Sequence, residues 1–216
     1  MPLPRLNHVC ISRFAAAARA SIRCSFSSLV NAYEATRERV ISYLPKNAVG
    51  AEIGVWRGDF SARIIAGAQP KVLHLIDPWL HAEGGSHANS LYGRSSQDQM
   101  DEIHDHVRAR FAKHIDEGNV LIHRGSSEAI LSSMEDDCLD YIYIDGDHAY
   151  DGVRKDIELA YRVVRPGGLI CLDDHYLGRW WEDGIVRAVN EFLGRYPRNL
   201  QLAFMSDGQV MIRRRR

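Results

Sequence analysis

The chain has 216 residues, of which 45% are apolar, and this length suits one domain with a sizeable core. Its formal net charge of -1 excludes a general affinity for nucleic acid or for an acidic membrane surface. No apolar run approaches membrane-spanning length, and the four widely spaced cysteines include no CxxC pair, so we expect reduced thiols in the cytoplasm.

A basic segment, residues 1–33, precedes the predicted domain at 34–216. The segment contains no acid, and arginines recur in it among alanine and serine. This composition fits either an organelle transit peptide or an amphipathic helix that packs on the domain or on a second subunit. We favour the packing helix because the run from Phe14 to Ala20 has good helix propensity. In that case the segment is a candidate element for forming a homo-oligomer. A further helix is predicted over residues 31–44.

The first predicted strand, residues 48–53, leads into a turn with glycines at 54 and 58. Glycines after a strand let the backbone turn tightly and approach a ligand, and the following helix presents free N–H groups. The next strand, 72–76, ends in Asp77, about twenty residues on, where a dinucleotide-type fold binds ribose hydroxyls. Because the spacing departs from GxGxxG, the pattern indicates an adenosine ligand without a pyrophosphate.

Residues 78–96 have the composition of a loop. Next to a predicted site, this length favours a lid or a substrate-binding element over an irregular surface loop. A long charged helix with an apolar core stripe is predicted over residues 97–116. A third buried strand, 120–122, precedes another helix, for which Ser126 and Ser127 are equally suitable caps.

The stretch 139–175 contains two short apolar strands, 141–144 and 169–172, with a helix between them. A strand, helix and strand in this order form a right-handed crossover, which places both strand ends on the same edge of the sheet. Asp145, Asp173 and Asp174 therefore converge where ligands of open α/β sheets bind.

Three clustered carboxylates repel one another unless a cation or a network of donors lies among them. A hard divalent ion such as Mg²⁺ would resolve this conflict, so the three acids are a candidate metal site. The alternative is that they are helix caps and solvated loop acids. His148 and His175 lie close to these acids in sequence, and an imidazole suits the role of a catalytic base. The alternative for each histidine is an imidazole that only makes local hydrogen bonds.

The C-terminal part of the chain begins with an aromatic pair, Trp180 and Trp181, which we expect to shape the acceptor pocket together with residues 78–96. A helix follows at 184–195, then two strands, 200–204 and 209–212, around a good hairpin turn. Residues 213–216 are predicted to form a solvated tail. The fold class is α/β, a Rossmann-like doubly wound sheet of seven strands, mostly parallel, with a C-terminal antiparallel hairpin.

In combination, these motifs resemble the class I S-adenosylmethionine-dependent methyltransferases over roughly residues 35–213. The similar motifs are Glu52-x-Gly54-x-x-x-Gly58, Asp77 and the Pro-Gly-Gly that begins at Pro166. The passage Ile-Asp-Gly-Asp-His-Ala-Tyr-Asp-Gly-Val at 144–153 further resembles a bacterial small-molecule subgroup related to the sugar O-methyltransferases of antibiotic pathways.

The resemblance implies roles for individual residues toward S-adenosylmethionine. Asp77 would bind the ribose diol, and the glycines would back the methionine part. The implied set of cofactor-binding residues is Glu52, Gly54, Gly58, Asp77, Ser127, Glu128 and Asp145, with Ser127 and Glu128 beside adenine.

The cation-dependent catechol-type members of that family bind Mg²⁺ through an acid after the fourth strand and a pair after the fifth. Asp145, Asp173 and Asp174 have the same spacing, 28 and 29 residues. Those enzymes carry a catalytic lysine three residues after the first acid. This chain has His148 there, so the base is either His148 or His175.

The resulting hypothesis is Mg²⁺-assisted transfer of a methyl group to a hydroxyl of a small sugar or phenol. One alternative is a metal-free methyltransferase whose acids only orient the substrate, and another is a module that binds S-adenosylmethionine without turnover. The missing GxGxxG disfavours an NAD-dependent oxidoreductase. No basic groove and no Asn-Pro-Pro-Tyr motif is evident, which disfavours nucleic-acid methylation, and neither nucleic acid nor membrane is an expected partner.

Overall fold

A computed structural model describes residues 32–82, 84–177 and 181–216. Residues 1–31, which make up almost all of the basic N-terminal segment, lie outside the described residues, so the two interpretations of that segment stay predictions. Trp180 also lies outside the described residues. In the part of the chain that is described, no helix has both the length and the apolar character needed to cross a membrane.

Within those ranges the structure has seven strands and eight α-helices. The strands are β1 (Val49–Ile53), β2 (Val72–Asp77), β3 (Val120–Arg124), β4 (Leu139–Ile144), β5 (Val164–Leu172), β6 (Leu200–Ser206) and β7 (Gln209–Arg214). The helices are α1 (32–43), α2 (Asp59–Ala68), α3 (Leu91–Arg94), α4 (Gln97–Arg110), α5 (Ala112–Asp116), α6 (Ser127–Ser133), α7 (Tyr150–Val163) and α8 (Gly184–Arg195).

The described strands form one sheet in the order β3-β2-β1-β4-β5-β7-β6. The pairings among β1 to β5 are parallel, and β7 lies antiparallel between β5 and β6. The predicted fold class, including the C-terminal hairpin, is therefore confirmed.

Register brings the ends of the parallel strands together. Ile53 at the end of β1 pairs with Ile76 of β2 and Ile144 of β4, and Ile144 in turn pairs with Leu172 of β5. The residues that follow these positions consequently form one row along the carboxyl edge of the sheet.

Helices cover both faces of the central strands, which explains why β4 and β5 are almost continuously apolar. On one face Ile142 and Ile170 are buried with residues of α7 and α8. On the other face Tyr143 and Cys171 are buried with residues of α1, α2 and α4.

Some element ends are shifted, as in β5, which begins five residues before the predicted strand 169–172, and three further differences concern whole segments. The helix predicted over 97–116 is interrupted at Phe111, which leaves helical geometry (φ -105°, ψ 14°) while its ring is buried. Residues 78–96 are not a plain loop, because they contain a 3-10 turn (Gly85–Asn89) and α3. The predicted tail was wrong for Arg213 and Arg214, which extend β7, and the guanidinium of Arg214 donates to the carbonyl of Val164 at 2.6 Å.

Candidate active site

Two adjacent cavities open at the carboxyl edge of the sheet. The first has a volume of about 490 Å³ and the second about 460 Å³. Both are lined by Gly54, Ser90, Tyr92 and Gly146, so they meet above the turn that follows β1. Together they form one crevice in two halves at the position where the sequence analysis predicts a ligand.

Gly54 makes the close approach between β1 and β4 possible. Its φ is +85°, and a Cβ atom there would lie 1.9 Å from the backbone oxygen of Asp145. Gly58 also has a positive φ, +75°, but a Cβ atom there would meet the ring of Phe111, and Gly58 is not among the described residues that line either cavity. Gly54 thus shapes the crevice, whereas Gly58 starts α2 and lets Phe111 pack.

Asp77 is fully buried at the end of β2. Its carboxylate accepts hydrogen bonds from the backbone N–H of Trp56 at 2.9 Å, from that of Trp79 at 2.7 Å, and from the hydroxyl of Tyr92. Burial raises the pKa of Asp77, and these donors act in the opposite direction. Tyr92 lines both cavities and Asp77 is not among the described lining residues, so the Tyr92 side chain lies between the acid and the crevice.

The first cavity is bordered by the start of α6. Ser126 caps this helix by accepting from the N–H of Ala129 at 3.2 Å, and Ser126, Ser127 and Glu128 all line the cavity. The hydroxyl of Ser127 donates to Asp156 at 2.5 Å, and burial raises the pKa of Asp156 to about 7.

Glu52 lies in β1 and lines the second cavity. Its carboxyl group accepts a hydrogen bond from the Ser61 hydroxyl at 2.5 Å. Burial raises the pKa of Glu52 to about 8, although Ser61 and the charge of Arg37 oppose this change. At neutral pH the ligand-free protein therefore keeps this carboxyl group largely protonated.

This shift makes the stability of the free protein dependent on pH. Because the pKa of Glu52 is higher in the folded state, the unfolded chain releases the proton first as pH rises from about 4.5 to about 8. We expect wild type to lose on the order of a few kcal/mol of unfolding free energy relative to Glu52→Gln across that window. Urea unfolding at pH 5, 6.5 and 8 measures this, with exposed Glu102→Gln as the control. A wild-type curve parallel to that of Glu52→Gln would contradict the prediction.

Asp145, Asp173 and Asp174 all lie at the ends of β4 and β5, but their surroundings differ. Asp173 is buried, and five donors surround its carboxylate. They are the hydroxyls of Tyr33 and Tyr143 at 2.8 Å, the amide of Gln209, the backbone N–H of Asp174 at 2.7 Å and the guanidinium of Arg37 at 3.2 Å. A carboxylate has about four lone-pair positions, so these donors satisfy both oxygens of Asp173.

Asp145 contacts Arg37 through one oxygen only. The distance from Arg37 Nη2 to Asp145 Oδ2 is 3.1 Å, whereas Asp145 Oδ1 lies 3.7 Å from Nε2 of His148. Burial and the charge of Asp173 raise the pKa of Asp145 well above its usual value, and Arg37 opposes this change. Asp145 and Asp174 both line the second cavity.

His148 has a defined tautomer. Its Nδ1 lies 2.7 Å from the carbonyl oxygen of Gly146, which can only accept, so Nδ1 carries a hydrogen. Its Nε2 lies 3.0 Å from Oδ2 of Asp174. In the neutral ring Nε2 is itself an acceptor, and it faces carboxylate oxygens. A hydrogen placed on Nε2 would therefore be donated to Asp174.

The other candidate base, His175, is placed differently. Its backbone N–H donates to the carbonyl of Gly208 at 2.8 Å, and burial lowers the pKa of its ring. Its Nε2 is buried without a hydrogen-bond partner among the described residues, and His175 is not among those that line either cavity. His148 thus lies beside Asp145 and Asp174, whereas His175 is not among the described residues that line the crevice.

Three side chains offer converging ligand atoms for a metal ion. One atom each from Asp145, His148 and Asp174 lies within 4.8 Å of the others. Asp173 is not in this set, since its oxygens are turned to protein donors. The two acids of this set, Asp145 and Asp174, supply oxygen atoms of the kind that a hard divalent ion prefers.

Sequence reasoning missed Arg37, Tyr33 and Tyr92. Tyr33 and Arg37 lie four residues apart on α1, on the same face as the buried Val40 and Ile41. An arginine within an apolar helical stripe was the available signal for a buried charge partner. For Tyr92 the sequence carried no comparable signal, because its contact with Asp77 depends on how residues 78–96 fold over the crevice.

Comparison with known proteins gives one family match and one curated relative. Residues 51–175 match the family described as "Methyltransferase domain". The relative is an uncharacterized protein of Acanthamoeba polyphaga mimivirus, 40% identical over 55 residues. That alignment covers 26% of this chain and 24% of the viral protein, so the chain matches only about a quarter of the relative's length.

Solved structures share the fold at low sequence identity. A Clostridium thermocellum protein provisionally described as an rRNA methylase superposes with a TM-score of 0.60 at 9% identity, over 85% of this chain and 95% of the other. The O-methyltransferase TomG of Streptomyces achromogenes, solved with S-adenosylmethionine, superposes with a TM-score of 0.56 at 15% identity. That match covers 84% of this chain and 78% of TomG.

Proposed function

We propose that this chain, which belongs to the methyltransferase-domain family, transfers the methyl group of S-adenosylmethionine to a hydroxyl of a small sugar or phenol with the help of a divalent cation. Membership of this family supports methyl transfer as the activity. The acceptor class and the cation go beyond what family membership implies. The observation that carries them is the placement of His148 Nε2 beside Asp174 and Asp145 in the second cavity.

The two halves of the crevice suit the two ends of the cofactor. Ser127 and Glu128 in the first cavity would border adenine, and Asp77 would take the ribose hydroxyls. Gly54 has no side chain to fill the place where the two halves of the crevice meet. The methionine part of the cofactor would extend past Gly54 toward Glu52. When bound, S-adenosylmethionine supplies a methyl group activated by a positively charged sulfur.

His148 is the proposed proton acceptor. The acceptor hydroxyl would lose its proton to Nε2 as its oxygen forms the bond to the methyl carbon and the bond from that carbon to sulfur breaks. The hydrogen bond from Nδ1–H to the carbonyl oxygen of Gly146 fixes the ring. Asp174 would accept a hydrogen bond from Nε2 once that atom carries the proton. Positioning of the oxygen in line with the methyl group is the other main contribution of the protein. Trp181 lines this cavity and would help to place a small acceptor.

Asp145 and Asp174 are the residues that would hold a divalent ion, and Asp173 would serve as a buried support. Such an ion would lower the pKa of the acceptor hydroxyl and so assist proton removal. A metal-free methyltransferase is the second candidate, because Arg37 already places a fixed positive charge between Asp145 and Asp173.

We also propose the cytoplasm, a reducing compartment, as the location of the protein. Cys138 and Cys171 are both free thiols, one exposed and one buried, which agrees with such surroundings.

The test is incubation of the purified chain with S-adenosylmethionine labelled in the methyl group and a panel of sugars and phenols, with matched amines as controls. We expect label on a hydroxyl acceptor, a fall in rate of at least tenfold with EDTA, and recovery with Mg²⁺. Full turnover in EDTA would exclude a role for the cation in the reaction and favour the metal-free candidate. Cofactor binding by calorimetry without methyl consumption on any acceptor would instead indicate a binding module.

A further inference from the structure

Arg37 is the charged residue of α1 that reaches the acids at the sheet edge. Its Nη2 atom lies 3.1 Å from Asp145 Oδ2 and 3.2 Å from Asp173 Oδ2, so one nitrogen bridges both carboxylates. Its guanidinium carbon lies 4.1 Å from the ring centroid of Phe60, and the side chain is 15% exposed. Arg37 also lies outside the residues that match the family.

The guanidinium divides the oxygens of Asp145 between two sides. Oδ2 contacts Arg37, whereas Oδ1 lies 3.7 Å from Nε2 of His148. On the Arg37 side both oxygens of Asp173 are taken up by donors from Tyr143, Gln209 and the other groups around it. A second cation on that side would meet the positive charge of Arg37 at short range.

We propose that Arg37 is a positioning residue, the resident counter-ion of Asp145 and Asp173. It confines a divalent cation to the side of Asp145 and Asp174, while the other donors around Asp173 keep that residue from acting as a ligand. This inference rests on the proposed function and deepens it, since it concerns the cation of the same site. Asp145, Asp173 and Asp174 outnumber the one guanidinium, and this balance would favour a cation on the side of Asp145 and Asp174.

The experiment is calorimetric titration of the full chain with Mn²⁺, repeated with Mg²⁺, without cofactor or acceptor. We expect Asp174→Asn to weaken Mn²⁺ binding at least tenfold and Asp173→Asn to change it less than threefold. Arg37→Met should tighten binding at least tenfold, because the competing positive charge is removed and Oδ2 of Asp145 becomes available as a ligand. Arg37→Lys keeps the charge and should stay within threefold of wild type. Arg39→Met, on an exposed part of the same helix, is the matched control.

Two results would overturn the inference. One is a loss for Asp173→Asn as large as that for Asp174→Asn, and the other is an Arg37→Met variant that binds no more tightly than wild type. The two comparisons use different variants, so failure of one variant to fold, checked by circular dichroism, leaves the other decisive. Absence of Mn²⁺ binding in wild type combined with binding in Arg37→Met would support Arg37 as the counter-ion while removing the cation from the proposed reaction.

Discussion

Replacing His148 with alanine is expected to lower turnover by about 10²-fold or more, because positioned general bases contribute about 10²- to 10⁴-fold. Asp145 and Asp174 lie 3.7 Å and 3.0 Å from Nε2 of His148, and both are proposed to hold the cation, so neither is expected to take over as the base. The measurement is kcat with the acceptor found in the labelled panel. Part of the lost rate should return when free imidazole is added.

The matched control is His175→Ala, which removes the other candidate base and should change kcat less than threefold. Binding of S-adenosylhomocysteine to His148→Ala, measured by calorimetry, should stay within threefold of wild type, since the ring is proposed to act on the acceptor. A variant at His148 with wild-type turnover would show that solvent or another group takes the proton.

Replacing Gly54 with alanine is expected to have the largest effect on stability. The new Cβ would lie 1.9 Å from the backbone oxygen of Asp145, and φ of +85° strains any L side chain. We expect a loss of at least about 3 kcal/mol in the free energy of unfolding, or roughly 6–12 °C in Tm for a chain of this length. Binding of S-adenosylhomocysteine should fall at least tenfold, because β1 and β4 must move apart.

Gly194→Ala is the control for this substitution. Gly194 lies in α8, and a Cβ atom added there would meet nothing within 4 Å, so alanine should be neutral or stabilise by about 0.5–1 kcal/mol. Thermal unfolding of the two variants and wild type gives the comparison. Equal Tm values for Gly54→Ala and wild type would show that the turn can open without cost.

The parts of the site that follow from parallel strands were accessible from the sequence. Asp145 and Asp173 each follow an apolar strand, and a right-handed crossover obliges neighbouring strands to end at one edge. The same rule placed Gly54 and Asp77 in the row. The hairpin was accessible too, because Asp207 and Gly208 form a tight turn in which both residues have positive φ.

The contacts that distinguish Asp173 from the other acids at the sheet edge could not be predicted from the sequence. Asp173 is satisfied by Tyr33 from α1 and by Gln209 from β7, which lie far from it in sequence. Whether a carboxylate faces a cavity or a set of donors depends on how helices dock on the sheet. The break at Phe111 has the same origin, since packing of its ring against Gly58 overrides the helical pattern around it.

The hydroxyl of Tyr92 on Asp77 has an energetic consequence for recognition of the nucleoside. This acid already accepts hydrogen bonds from three donors, one of them the hydroxyl of Tyr92, so a ribose that displaced Tyr92 would exchange one hydroxyl partner for another. Such an exchange adds little net free energy, because hydrogen bonds are replaced and not created. Tight binding would then have to come from the adenine and the methionine part of the ligand. The ribose could bind Asp77 only after the Tyr92 side chain has moved away.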